Sequence, residues 1–182
     1  YTMSNKITKL IDSNDISKLI KRISHEILES SNLNKNLVVI GIKSRGDFIA
    51  KRIVEQIHQI TGNKISMGTI DVTFHRDDYK TNLGSPEIGV SDIKFNVNDK
   101  DIILIDDVLY TGRTIRAAMD EIFSYGRPKR IRVAVIVDRG HRELPIKADF
   151  VGKNLPTADD EHIHVHIKEL DGKDLVFLDT GK

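Results

Sequence analysis

The chain has no cysteine among its 182 residues. That single absence excludes disulfide bonds, thiolate metal sites and cysteine nucleophiles. Tryptophan is also missing, and only 5% of residues are aromatic. A surface that grips single-stranded nucleic acid by stacking bases on aromatic rings is therefore not expected. Charge of one sign is missing as well. The 28 basic and 27 acidic side chains leave a formal net charge of +1, where a protein coated for nucleic acid would be far more basic. Any RNA or DNA must be held by a local patch. Long apolar runs are absent: Leu37 to Ile40 and Ile102 to Ile105 are too short to span a bilayer. No signal peptide is evident, so the expected location is the cytoplasm. Tyr1 and Thr2 precede Met3 and read as a cloning remnant. With 39% hydrophobic and 30% charged residues, the composition is that of a globular α/β domain, with room for one such domain over 1–182.

What is present alternates helix and strand. Asp15 to Ser30 carries Ile16, Leu19, Ile20, Ile23 and Ile27 at helical spacing, with Ser13 or Asn14 as the cap. Asp47 to Ile60 carries Ile49, Ile53, Val54, Ile57 and Ile60 on one face and stops at Gly62-Asn63. Thr114 to Tyr125 turns Ile115, Ala118, Met119 and Ile122 inward and ends at Gly126 and Pro128. Between these helices lie strands over Leu37 to Ile42, Lys64 to Thr73, Asp101 to Ile105 and Ile131 to Val137. Short, nearly all-apolar strands between amphipathic helices indicate a parallel sheet covered on both faces. The C-terminal part reads as a hairpin of His162 to Leu170 and Asp174 to Leu178 around Asp171-Gly172. Arg76 to Asp92 has no apolar period, and a connection of that length is either a surface loop or an active-site lid.

In an open parallel sheet, ligands bind beyond the carboxyl ends of the strands. Three post-strand loops carry chemistry. Gly41-Ile42-Lys43-Ser44-Arg45-Gly46 has the glycine separation of a nucleotide-binding P-loop, but Asp47-Phe48 follows where Lys and Ser/Thr are required. What remains is a basic turn opening onto a helix start, where N–H groups and Arg45 can hold an anion. The second loop is Asp106-Asp107-Val108-Leu109-Tyr110-Thr111-Gly112-Arg113-Thr114. Adjacent carboxylates repel unless a sugar, metal or cation engages them. Thr111 to Thr114 adds hydroxyls and free N–H groups at a helix start, which favours a phosphate monoester. Acids that bind hydroxyls beside a phosphate cradle describe a ribose-5-phosphate site. The third loop crowds Asp138, Arg139, His141 and Arg142 at another strand end.

The run Ile103 to Thr114 matches the phosphoribosyl-pyrophosphate (PRPP) motif of type I phosphoribosyltransferases. With Gly41 to Gly46, Arg76-Asp77-Asp78, Val137 to Pro145 and Lys153 to Thr157, the whole chain resembles the PyrR family. These are pyrimidine operon attenuator proteins that are also uracil phosphoribosyltransferases. The resemblance implies a type I phosphoribosyltransferase fold: a mostly parallel central sheet flanked by helices, a flexible lid loop and a small C-terminal β hairpin. It implies that Thr111, Gly112 and Thr114, with N–H groups of Val108, Leu109, Tyr110 and Arg113, hold the 5′-phosphate. Asp106 and Asp107 would hold the ribose hydroxyls and stabilise charge developing on the sugar. Ser44, Arg45 and Gly46 would hold pyrophosphate, beside a strained non-proline peptide. Arg76 and Asp77 would belong to the lid, and Asp138 and Arg139 would lie at the base, Asp138 also near Mg2+ carried with PRPP. The implied reaction joins uracil and PRPP to give UMP and pyrophosphate.

A second implied role is binding of pyrimidine leader mRNA in the presence of UMP or UTP. Lys21, His25, Lys43, Arg142, Lys147 and Lys153 would form the RNA surface, where Lys21 replaces the hydroxyl residue expected in the family. Lys18, Lys21, Arg22 and His25 share the polar side of the first helix. The family associates at least as dimers, so a single copy should expose an apolar patch. A purine-base phosphoribosyltransferase without an RNA role would use the same phosphate and ribose loops. His162, His164 and His166 alternate along a strand and fit a polar outer face better than a metal site.

Overall fold

The computed structural model describes residues 6–32, 35–73 and 90–180. Five strands, β2 (Leu37–Ile42), β3 (Ser66–Ile70), β4 (Asp101–Leu109), β5 (Arg130–Asp138) and β6 (Phe150–Asn154), form a parallel sheet in the order β3-β2-β4-β5-β6. Their apolar residues divide between two cores. Val39, Ile103, Ile105, Ala134 and Ile136 face helices α1 (Ser13–Ser31) and α2 (Gly46–Thr61). Val38, Ile40, Ile102, Leu104, Val133 and Val135 face α3 (Arg113–Tyr125). The continuous apolar strands predicted for residues 37–42, 101–105 and 131–137 are therefore strands buried on both sides.

A second, antiparallel sheet has the order β1-β8-β7, from β1 (Ile7–Ile11), β7 (His162–His166) and β8 (Leu175–Asp179). Its inward residues Ile11, Ile163, Val165 and Val176 join the core under α1 and α2. The predicted C-terminal hairpin is thus present as the pair β7 and β8. Its turn differs from the expectation. Strand β7 stops at His166, and a one-turn helix α4 (Lys168–Asp171) follows, closed by Gly172 at φ 78°. His162, His164 and His166 share the less buried side of β7, where Phe177 stacks on His164 with centroids 5.0 Å apart. Among the described residues no group of His, Cys, Asp or Glu is arranged to hold a metal ion.

Other boundaries shift for identifiable reasons. Three cap-forming residues stand in a row at the start of α1, and the one used is Asp12, not Ser13 or Asn14. Its carboxylate accepts the N–H of Asp15 at 2.9 Å. Strand β3 covers only the middle of Lys64 to Thr73. In α2, Ile49, Ile53 and Ile57 are buried, but Ile60 is 40% exposed because the helix end runs past the sheet. Arg22 is not a free surface cation. It pairs with Glu26 at 2.7 Å and donates to the carbonyls of Val151 and Gly152 on β6. The other large exposed apolar residues, among them Ile7, Phe123, Tyr125 and Leu170, come from β1, α3 and α4. No described helix is long and apolar enough to cross a membrane.

At the end of the sheet away from the functional loops, Asp101 is 2% exposed and accepts from both Arg130 and Arg132. Arg132 also reaches the hydroxyls of Ser30 and Ser31 at 2.7 and 2.6 Å, fastening the end of α1 to the sheet.

Helix α1 buries Ile16, Ile20, Ile23 and Ile27, each worth about 1.5–3 kcal/mol. Packing, more than capping, holds it. Replacing Asp12 by Ala should cost only about 1 kcal/mol, read as a melting temperature lowered by a few degrees with the fold retained.

Candidate active site

Strands β2 and β4 are neighbours at the centre of the sheet, and β3 and β5 lie on opposite sides of them. The loops that follow β2 and β4 therefore open into one crevice, the place where parallel sheets bind ligands. Two glycines bring the loops together. A Cβ on Gly46 would stand 2.5 Å from the carbonyl oxygen of Ile105, and one on Gly41 would stand 2.5 Å from Cα of Asp47. Any side chain at either position would push the start of α2 off the sheet.

The first loop runs from Lys43 to Arg45. Its Lys43–Ser44 peptide is cis, and the Lys43 N–H donates to the carbonyl of Ile70 on β3 at 2.8 Å. Lys43 Nζ donates to the carbonyl of Val90 at 2.9 Å. Ser44 is exposed and Arg45 half-buried. Burial raises the carboxyl pKa of Asp47, in the first turn of α2.

The second loop differs from the sequence expectation in one respect. Asp106 and Asp107 do not follow the strand but lie within it, because β4 continues to Leu109 with Val108 opposite Val137 and Leu109 opposite Asp138. The phase of burial changes across the two acids. Ile103 and Ile105 face the α1–α2 core and Leu104 the α3 core, yet beyond the acids Val108 packs on the first and Leu109 on the second. Both acids are buried, at 2% and 7% exposure. Asp106 accepts the N–H of Asp107, and Asp107 that of Val108, each at 2.9 Å. After Tyr110 comes buried Thr111, whose hydroxyl accepts the Arg113 N–H at 3.2 Å. Gly112 takes φ 92° as the residue that opens α3, a conformation that favours glycine. Thr114 sits in the first turn of the helix, where N–H groups have no partner in the helix.

The third loop is stitched onto the second. The N–H groups of Glu143 and Leu144 donate to the Thr111 carbonyl at 3.0 and 3.3 Å, and that of Arg139 donates to Leu109 at 3.1 Å. Arg113 pairs with Glu143 at 2.7 Å. Asp138 accepts from the Gly140 N–H at 3.0 Å and from Arg142 at 3.2 Å. Arg139 is 5% exposed. Its guanidinium lies 4.0 Å from the Tyr110 ring centroid and donates to the Thr157 hydroxyl and the Glu161 carbonyl. Burial pushes its pKa down. Thus Arg139 ties the loop over 106–114 to the segment over 155–161.

The sites expected at Ser44 to Gly46, Asp106 to Thr114, and Asp138 and Arg139 therefore converge on one end of the sheet. Arg76 and Asp77 lie outside the described residues. Of the expected RNA residues, Lys21 and His25 are exposed on α1 and Lys153 on β6, while Arg142 and Lys147 are exposed after β5.

Sequence reasoning missed the carboxylates that meet Arg45, just before α2, and Arg52 within it. Arg45 forms a two-point pair with Asp171 of α4, at 3.1 and 2.8 Å. Arg52 pairs with Glu169 and Asp174. A signal was available: Arg45 and Arg52 are seven residues apart, hence on one helix face, and Glu169, Asp171 and Asp174 cluster in one turn. Hydrogen bonds from Arg52 and Arg45 hold Glu169 and Asp171 below the usual carboxylate range. For Asp174, burial pushes upward and is outweighed by the bonds from Arg52 and the Lys168 N–H.

The comparisons agree with this geometry. The family described as phosphoribosyl transferase domain matches residues 7–170. Among solved structures, hypoxanthine phosphoribosyltransferase from Trypanosoma cruzi, in complex with the product IMP, superposes with a TM-score of 0.71. It is 16% identical, over 98% of this chain and 92% of that one. A hypoxanthine-guanine phosphoribosyltransferase from Bacillus anthracis gives 0.68 at 20% identity, over 88% of each chain. At such identities the likeness shows the fold, so the class is the phosphoribosyltransferase fold. Sequence relatives narrow it. Bifunctional protein PyrR of Clostridioides difficile is 53% identical over 170 residues, 93% of this chain and 96% of that protein. Bifunctional protein PyrR of Bacillus subtilis is 47% identical over 176 residues, 96% and 97% of the two chains. The chain belongs to the PyrR family of phosphoribosyl transferase domains.

A pH effect follows from the α4 carboxylates. Their depressed pKa values mean that the folded chain binds fewer protons than the unfolded one through the acid range. Their stabilisation is complete above about pH 5 and is lost as pH falls through the ordinary carboxylate range, about 4, and below. Acid titration followed by hydrogen exchange should show β7, α4 and β8 losing protection early, and Arg52→Ala should remove part of that dependence.

Proposed function

We propose that the protein is a uracil phosphoribosyltransferase that forms UMP and pyrophosphate from uracil and PRPP, and that it also regulates pyrimidine genes by binding their leader mRNA when UMP or UTP is bound. The observation that carries the enzymatic half is the crevice between β2 and β4. There the loop over 43–46, two buried acids and a threonine-lined helix start stand side by side. Support for the uracil and RNA assignments comes from near-full-length relatives at about half identity that bear the name Bifunctional protein PyrR.

In this reading the 5′-phosphate sits at the start of α3. The N–H groups from Val108 to Arg113 and the hydroxyls of Thr111 and Thr114 bind it, aided by the helix dipole. Asp106 and Asp107 accept from the ribose 2- and 3-hydroxyls. As the bond to pyrophosphate lengthens, the anomeric carbon gains positive charge, and two carboxylates buried beside it stabilise that charge more than they would in water. The ring nitrogen of uracil attacks the opposite face and yields its N–H proton to water or to the departing pyrophosphate, which leaves toward Ser44, Arg45 and Gly46. No covalent enzyme intermediate is required. Arg76 and Asp77 are assigned to the segment that closes over the substrates and excludes water. Asp138 and Arg139 border the base, with Arg139 acting through Tyr110 and Thr157.

Magnesium fits as an ion carried by PRPP. Mg2+ keeps several waters and takes one or two carboxylates plus substrate phosphates, and the described residues offer no all-protein cage. Asp138, which accepts from Gly140 and Arg142, keeps further lone pairs that could join the ion. Bound with PRPP, magnesium neutralises charge on the leaving pyrophosphate.

For the RNA half, the fold supplies proximity. Helix α1 lies against β6 through Arg22, so Lys21 and His25 share an edge with Lys153. Lys43, Arg142 and Lys147 complete the proposed surface. The protein is read as cytoplasmic and as a homo-oligomer.

Pyrophosphate release with uracil, compared against hypoxanthine and guanine, tests the base. Activity with a purine alone would overturn the assignment. Asp106→Asn with Asp107→Asn should lower kcat/KM by about 10²-fold or more without changing the melting temperature.

A gel-shift titration with pyrimidine leader RNA should show UMP-dependent binding. That binding should weaken steeply with salt and be lost when Lys21, His25 and Lys153 are replaced by Ala. Binding indifferent to UMP removes the regulatory half.

A further inference from the structure

Arg45 is assigned to pyrophosphate, yet its guanidinium already has a carboxylate partner. Nε donates to one oxygen of Asp171 at 3.1 Å and Nη2 to the other at 2.8 Å. Asp171 comes from the far end of the chain, in the turn between β7 and β8. It is itself fixed, since one of its oxygens also accepts the Ile167 N–H at 2.7 Å. The turn is fixed in its place too. Arg52 reaches both oxygens of Asp174 at 2.9 and 2.8 Å and pairs with Glu169, while Asp174 accepts the Lys168 N–H at 2.7 Å. Arg45 precedes the first turn of α2, and Arg52 follows two turns later on the same face. The acidic turn is therefore clamped along the start of the helix whose first residues form the pyrophosphate loop.

We propose that Asp171 is a positioning residue for pyrophosphate binding: it fixes the guanidinium of Arg45 beside the loop over 43–46, with its remaining donors available to the substrate anion. This rests on the assignment of that loop to pyrophosphate. A free arginine side chain samples many rotamers, and an anion that binds it must pay for their loss. The planar fork lets Asp171 take two donors along one edge. Among the described residues, Nη1 donates to no protein atom, and Nη2 keeps a second hydrogen. The pair also means that a carboxylate lowers the net field felt by the anion. Positioning and competition predict opposite signs when the charge is removed, and the fixed backing of Asp171 favours positioning. A carboxylate braced by Ile167 and by the Arg52 pairs is a support, not a mobile plug that exchanges with ligand.

Calorimetric titration of the full chain with pyrophosphate and Mg2+ tests this without requiring a base. Asp171→Asn keeps an acceptor for the Ile167 N–H but loses the charged fork. The dissociation constant for pyrophosphate and the KM for PRPP should both rise, about threefold to tenfold, while the KM for uracil holds and the melting temperature falls by only a few degrees, as expected for loss of one ion pair with the fold retained. Arg45→Lys, which keeps the charge and loses the fork, should raise the same two constants. In an Arg45→Ala background, Asp171→Asn should add nothing. Tighter pyrophosphate binding in Asp171→Asn would show competition and overturn the proposal. It is equally overturned by an unchanged constant in either single variant, or by a further loss in the Arg45→Ala background. Absence of uracil turnover in the unaltered protein, with pyrophosphate still bound, would sink the uracil assignment and leave the role of Asp171 standing.

Discussion

Everything at the functional end of this molecule depends on how closely the start of α2 approaches strand β4. Gly46 lies against the Ile105 carbonyl with no room for a Cβ, and Gly41 is pressed in the same way against Asp47. Since β2 and β4 are hydrogen-bonded neighbours, that approach places one helix start beside the acids of the next strand. A side chain at either glycine would move the loop over 43–46 away from Asp106 and Asp107. The third loop is then fixed to the second by backbone bonds at Leu109 and Thr111. Three segments distant in sequence thus form one rigid rim.

The near-zero net charge gains a structural meaning. Many arginines are committed to fixed partners: Arg22 to β6 carbonyls, Arg130 and Arg132 to Asp101, Arg139 to Tyr110 and Thr157, and Arg45 and Arg52 to the acidic turn. Lysines carry most of the exposed positive charge, among them Lys21, Lys147 and Lys153. Guanidinium groups suit this division because their forked donors satisfy carboxylates and carbonyls at fixed angles, whereas ammonium groups remain hydrated.

The buried strands were legible because burial on both faces leaves an unbroken apolar run, as in Leu37 to Ile42. Helices were legible from isoleucines at helical spacing. Strand β4 was read too short because Asp106 and Asp107 end the apolar run, although the hydrogen-bond ladder continues through them. Strands β1 and β6 were missed: β1 mixes Thr and Lys with its isoleucines, and β6 holds Gly152, Lys153 and Asn154, residues poor in strand propensity. The loop over 106–114 could be located because it is contained in one strand–loop–helix unit. The Arg45–Asp171 pair joins residues 126 positions apart: the arginine spacing and the acidic turn are each visible locally, but only the fold brings one to the other. The same holds for the bonds from buried Arg139 to Thr157 and Glu161, which the charged loop after β5 does not announce.

Strand β6 ends the parallel sheet, and the outermost strand of any sheet is a template on which another chain can add itself. Here Arg22 reaches across from α1 to occupy the carbonyls of Val151 and Gly152, and Lys153 follows directly with a charge on the same strand. An incoming strand would have to displace a guanidinium and bury an ammonium before forming its first ladder bond. The β6 edge of the sheet is therefore guarded by one guanidinium and one ammonium.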